Sequence, residues 1–396
     1  MLKDLFKKHL AQTTDFLPIQ LEIERAEGVF LFDKNGKKYI DLLSGVAVNN
    51  LGHRHPAIIE AIQKQLDKYL HLMVYGEFVQ KETVELAELL ASVLPQELNK
   101  SFFLSSGSEA IEGAIKVAKL YTKRNEVISF KNSYHGSTLG TLNLLGDEKY
   151  KRNFRPLIPN FKSLEFNNES ELQKITNKTA CVVIEPIQTA AGMITPENNF
   201  LTKVRKRCNE TNALLVFDEI QTALGRSGKL FAFETYNAQP DILCLAKSLG
   251  GGLPISAFIS SQKIMKSLEN GHPLLGHATT FGGHPLSCSA AIATLKTLLN
   301  ENIISEVEEK SSLFIKALKH PLIKEIRGKG LLLAVELGDK KLVKTFIENA
   351  INNGLLTYSF LFNETAFSIM PPLTITKKEI KLSCEIILKT LDSVLI

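Results

Sequence analysis

The sequence predicts an α/β fold: a large, mainly parallel sheet between layers of helices, with a smaller α+β lobe beside it. Three observations carry this. From about residue 85 to residue 260, short apolar runs alternate with stretches of helical periodicity, as strands do when crossover helices join them. The runs show almost no polar alternation, which is how strands read when helices cover both faces of a sheet. After Leu286 the pattern changes to long helical stretches around an apolar strand.

In chain order, "GVFLFDKNGKKYIDL" reads as a hairpin turning at Asn35-Gly36, a pair that tolerates the positive φ of hairpin turns. Core strands follow at residues 101–104, 127–130, 180–185, 214–218, 242–245 and 256–260. Between the first two, residues 109–124 set Ile111, Ala114, Ile115 and Ala118 on one stripe, the mark of an amphipathic helix. The C-terminal part gives a helix from Leu286, a strand at 331–337, a helix from Lys341 and a last helix from Thr376. The expected division is a segment at 1–50 that joins the small lobe, a large domain at 51–285 and a small domain at 286–396.

Composition narrows the function. The 396 residues are 44% apolar and 22% charged, an ordinary globular balance. Net charge is +5, but the 47 basic and 42 acidic residues are interleaved. Lysine pairs such as Lys7-Lys8 and Lys340-Lys341 are short and scattered, so no basic stripe marks a nucleic-acid surface. Five cysteines stand far apart with no CxxC pair, which suits a reducing compartment and speaks against a zinc site. The opening "MLKDLFKKHLAQTTDF" is charged throughout, and no run approaches a membrane span. The expectation is a cytoplasmic protein that binds neither nucleic acid, membrane nor metal.

Three sites carry chemistry. Asp218 closes the strand "LLVFD", where it could cap the next segment or face a ligand beyond the strand end. Lys247 follows the strand "ILCLA". It could be a snorkelling surface lysine, but Gly250, Gly251 and Gly252 beside it suit close backbone approach to something bulky. "SSGSEA", from Ser105 to Ala110, turns a strand into a helix. Such a turn can simply be a cap, or it can offer backbone N–H groups to a phosphate. Taken together they suit one cofactor, pyridoxal 5'-phosphate: a phosphate at the glycine turn, a carboxylate for the ring nitrogen and a lysine for the aldehyde.

The chain resembles the class III, ornithine/acetylornithine-type aminotransferases of fold type I over nearly its whole length. The resemblance rests on "LLSGVAVNNLGHRHP", "SSGSEAIEGAIKVAK", "SYHGSTLG", "VVIEPIQ", "LLVFDEIQTALGRSG", "AKSLGGGLP", "TTFGGHPL" and "IRGKGLLLAVEL". It implies a seven-stranded sheet and a ping-pong transfer of an amino group to a keto acid. It further implies that Lys247 forms the Schiff base and moves the substrate proton, that Asp218 pairs with the pyridinium nitrogen and that Gln221 reaches the phenolic oxygen. Ser106, Gly107 and Ser108 would lie at the phosphate, Tyr134 would stack on the ring, and His135 would belong to the same shell. Glu185 would sit behind the site and orient Gln221 or the substrate. Thr280 would bind the phosphate of a neighbouring subunit's cofactor, so a homodimer is implied.

Three positions depart from the family where it grips carboxylates. Ser137 stands for an arginine in "YHGST", Ala190 for a glutamate in "EPIQTAAG", and Ser368 for an arginine in "FSIMPPLTI". A serine supplies neither the charge nor the two parallel hydrogen bonds of a guanidinium. The expected donor is therefore an ω- or non-α-amine. The alternatives are N-acetylornithine or ornithine with 2-oxoglutarate, where Arg54 or Arg152 takes over the carboxylate, and a racemase or epimerase of the same fold. His284, where relatives carry asparagine, has no physical account.

Overall fold

Asp33 builds the first turn. Its carboxylate accepts the N–H groups of Asn35 and Lys37, both at 2.9 Å, and Gly36 takes φ +80°. Strands β1 (Ile23–Glu27), β2 (Phe30–Asp33) and β3 (Lys38–Asp41) follow one another as an antiparallel meander. The computed structural model describes residues 2–11, 19–74, 76–269 and 276–394.

The large sheet contains β4 (Lys100–Leu104), β5 (Glu126–Phe130), β6 (Phe161–Leu164), β7 (Thr179–Ile184), β8 (Leu214–Asp218), β9 (Ile242–Leu245) and β10 (Ser256–Ser260). Its order is β4-β10-β9-β8-β7-β5-β6, and only β10 runs antiparallel to its neighbours. All six core strands expected from the sequence are present. The seventh, β6, reads "FKSL", lies on the edge and keeps Lys162 and Ser163 exposed, so it has no apolar run to announce it.

Alternate residues of the central strands enter two different cores. Val182, Leu215, Phe217, Leu243 and Leu245 join the larger one. Cys181, Val183, Leu214, Val216, Ile242 and Cys244 join a second, beneath the helix Gly107–Thr122. Each fully buried aliphatic side chain contributes roughly 1.5–3 kcal/mol, so neither face tolerates polar residues. That helix starts two residues before the expected stripe because Ser106 and Glu109 form a capping box.

Beyond the long helix Pro285–Asn300, which packs on the helices Pro56–Leu66 and Lys81–Val93, come β11 (Glu325–Lys329), β12 (Leu332–Glu336), β13 (Leu355–Leu356) and β14 (Ala366–Ile369). β11, β12 and β14 make an antiparallel sheet, while β13 runs parallel to β3 and so ties the opening hairpin to the C-terminal part. The helix Lys377–Asp392 opens on a second capping box, Thr376 with Glu379. All five cysteines are buried and unpaired. Among the described residues, no helix is long and apolar enough to cross a membrane.

Candidate active site

The C-terminal ends of β7, β8 and β9 open onto a cavity of about 440 Å³. Gly107, Ser108, Tyr134, His135, Glu185, Ala190, Asp218, Gln221 and Lys247 all line it. Ser106, Ser137, Thr280 and Ser368 do not.

Asp218 caps the next segment and also lines the cavity. One oxygen accepts the N–H of Ile220 at 3.1 Å, a local cap, and the other meets His135 Nδ1 at 2.7 Å. Burial pushes the His135 imidazole down, but the Asp218 bond and charge outweigh it and leave the pKa raised. The imidazole thereby holds Asp218 in place. Its other nitrogen, Nε2, is buried without a partner.

Lys247 opens a 3-10 turn, Lys247–Gly250, with φ +45°, a left-handed conformation that costs energy in any residue but glycine. Its amine reaches Gln221 Oε1 at 2.5 Å. Burial lowers its pKa, against the opposing pull of Asp218 and Glu185. A lysine moved toward its neutral form at a cavity wall is a nucleophile.

Glu185 lines the cavity but makes no bond to Gln221. Its oxygens are taken by the N–H of Tyr134 at 3.0 Å and by the N–H and hydroxyl of Thr189, both at 3.1 Å. Gln221 is oriented instead by Lys247 and by Met370, whose sulfur accepts its Nε2–H at 3.4 Å. Burial, the largest effect on Glu185, raises its pKa despite these donors. Sequence reasoning missed Met370 and Thr189 because their partners are distant in sequence or carried by a backbone turn.

At the helix entrance, Glu109 takes the amides of Ser105 and Ser106, at 3.0 and 2.8 Å. The amides of Gly107 and Ser108 fall in the first helical turn, where N–H groups lack an intrahelical acceptor. Beside them Gly136 has φ +129°, and a Cβ there would lie 2.1 Å from Ser108 Oγ. The Tyr134 hydroxyl pairs with Ser137 Oγ at 3.0 Å.

The cavity wall is poor in cationic side chains. Among the described residues lining the cavity, Lys247 is the only lysine and there is no arginine. Ser368 is buried on β14 with its hydroxyl unpartnered. Arg54 and Arg152 lie outside the cavity wall, and Thr280 is exposed.

The family model for aminotransferase class III matches residues 11–391. The chain is a class III aminotransferase. It is 40% identical over 370 residues to an acetylornithine aminotransferase of Clostridium acetobutylicum, covering 90% of this chain and 92% of the relative. A second acetylornithine aminotransferase, from Methanocaldococcus jannaschii, is 40% identical over 397 residues, covering 95% and 94%. The ornithine aminotransferase structure from Toxoplasma gondii superposes with TM-score 0.92 at 29% identity, covering 100% of this chain and 95% of that one.

Class III aminotransferases are pyridoxal phosphate enzymes, and the cofactor supplies an aldehyde for an amine and a ring that accepts electrons. The residues present fit it. A buried lysine of lowered pKa faces the cavity opposite a carboxylate already fixed by a histidine. The glycine at 136 lets its backbone pack against Ser108 at the helix entrance, and the unpartnered His135 nitrogen lies in the same wall. Lys247 would hold the cofactor, Asp218 its ring nitrogen, and the amides of Gly107 and Ser108 its phosphate.

Proposed function

We propose that this aminotransferase takes the terminal amino group of a diamino acid acylated on its α-nitrogen, of the N-acetylornithine type, and passes it to an oxo acid such as 2-oxoglutarate. The observation that carries this is the alignment, over nine-tenths or more of both chains, with two proteins named acetylornithine aminotransferase. It favours a donor held by its carboxylate over the ω- or non-α-amine lacking a carboxylate clamp that the sequence led us to expect. In this reading Lys247 shuttles the proton between substrate carbon and cofactor, Asp218 keeps the ring nitrogen protonated, Gln221 faces the phenolic oxygen, and Tyr134 covers the ring face. Ser106 supports the phosphate turn.

One observation favours a second reading, a donor that needs no carboxylate clamp. Among the described residues, the cavity wall carries alanine, not glutamate, at 190 and no arginine at all, and the residues at 137 and 368, both serine, lie outside it. The two are separated by mixing holoenzyme with N-acetylornithine, ornithine, a diamine and a monoamine in turn, and following loss of the cofactor's visible band. Fast conversion by N-acetylornithine with slow conversion by the monoamine supports the first; the reverse order supports the second. Appearance of labelled nitrogen in glutamate excludes a racemase or epimerase.

The working unit in this proposal is a cytoplasmic homodimer in which Thr280 completes the phosphate site of the second copy. Residues 1–50 and 286–396 form its small lobe and residues 51–285 its large domain.

A further inference from the structure

Gln221 presents two different atoms to two different partners. Its oxygen lies 2.5 Å from Lys247 Nζ, and its nitrogen lies 3.4 Å from Met370 Sδ. The group at the nitrogen end bears directly on how the amide is held. A thioether accepts a hydrogen bond and has no proton to give, so it favours the N–H end of the amide.

Met370 is itself held in register. Its N–H donates to Leu42 O at 2.8 Å, and its carbonyl accepts from the Ser44 hydroxyl. Ser44 Oγ also accepts from Arg226 Nη2 at 3.3 Å. Arg226 is fully buried and donates further to Asn50 Oδ1 and to the carbonyls of Leu331 and Pro371. One guanidinium thus binds the opening segment, the large domain and the C-terminal part around the residue that touches Gln221.

Packing alone does not call for sulfur at 370. The side chain lies among Ile187, Met193, Leu332 and Ala334, where a leucine of similar volume would also be buried. The contact that leucine could not make is the one to Gln221.

We propose that Met370 is a positioning residue of the transamination site. Its sulfur takes one N–H of the Gln221 amide and so fixes that side chain at the cavity wall, and the Arg226–Ser44 pair keeps Met370 at that distance.

The test is a double-mutant cycle on the full-length holoenzyme, read as the pH midpoint of the bound cofactor's visible band. Met370→Leu should move the midpoint by about three- to tenfold in proton affinity, the worth of one lost hydrogen bond beside the titrating group. The shift should vanish when the same change is made in Gln221→Ala, because there is no amide left to orient. Ser44→Ala, which frees the Met370 carbonyl and leaves the sulfur in place, should give a smaller shift of the same sign that is again lost without Gln221. An unmoved midpoint in both Met370→Leu and Ser44→Ala would overturn the proposal. So would a shift of equal size with and without Gln221, since that is the mark of general disturbance to the packing.

Discussion

Lys247 shows how burial and chemistry combine at one residue. Its amine loses solvation, which lowers its pKa, and it keeps a hydrogen-bond acceptor in Gln221. Borohydride reduction of the holoenzyme should leave the cofactor on the peptide containing Lys247, and Lys247→Ala should abolish that link and lower activity by at least about three orders of magnitude, as loss of a covalent nucleophile does. Trapping on another lysine, read by mass spectrometry, would contradict this.

Glu219, next to Asp218 but turned away from the cavity, makes a different prediction. It is fully buried, accepts the N–H groups of Ala232 and Phe233 and the Thr222 hydroxyl, and burial still pushes it up to about 7. A carboxyl that binds its proton more tightly when folded stabilises the fold below its unfolded pKa, and that stability is lost as pH rises through the folded value. Wild type should therefore lose about 3 kcal/mol between pH 4.5 and about pH 7 from this group. Glu219→Gln should lower stability at acid pH, where it sacrifices a backbone bond, and flatten the decline. Denaturant titrations across that range check it; parallel curves for the two proteins would refute it.

At the scale of elements, the sequence was legible where both faces of a strand are buried. β7, β8 and β9 are apolar at nearly every position, so they announce themselves and so does the site at their ends. β6 and β11 were not visible, because "FKSL" and "EIRGK" are partly exposed and are strands only by virtue of a neighbour supplied from elsewhere in the chain. The site divides in the same way. Asp218 and Lys247 are marked by strand ends and glycines, whereas the pairs His135–Asp218 and Gln221–Met370 span 83 and 149 positions and leave no local trace.

Helix packing against the sheet gives this scale its own prediction. Gly113 lies where the helix Gly107–Thr122 crosses β10, and a Cβ there would sit 2.4 Å from the ring of Phe258, itself fully buried. Helix propensity alone says Gly113→Ala should stabilise by about 1 kcal/mol. Overpacking of a buried ring costs about 1–3 kcal/mol, so the net change should be destabilising. Paired substitution with Phe258→Leu should recover part of the loss. A thermally stabilised Gly113→Ala protein would show that the helix can back away from the sheet at no cost.

The whole molecule decides whether one chain makes a working site. Thr280 is exposed and stands apart from the cavity that holds Asp218 and Lys247, and Tyr134 in the cavity wall is 38% exposed. A second copy that brings Thr280 to that opening would account for both. Thr280→Ala should then weaken cofactor retention by about ten- to a hundredfold, the worth of one hydrogen bond to a charged phosphate. Lys247→Ala should remove the covalent link at its own site while leaving its Thr280 free to serve the other. Mixed dimers of the two variants contain one site with both residues intact and one with neither. Refolding the variants together should therefore restore tight cofactor binding and activity to at most one site in two of each mixed dimer, whereas either variant alone stays impaired. Sedimentation at assay concentration gives the independent check. A monomer that retains cofactor and full activity, or mixed preparations no better than the average of the two variants, would place Thr280 outside the site.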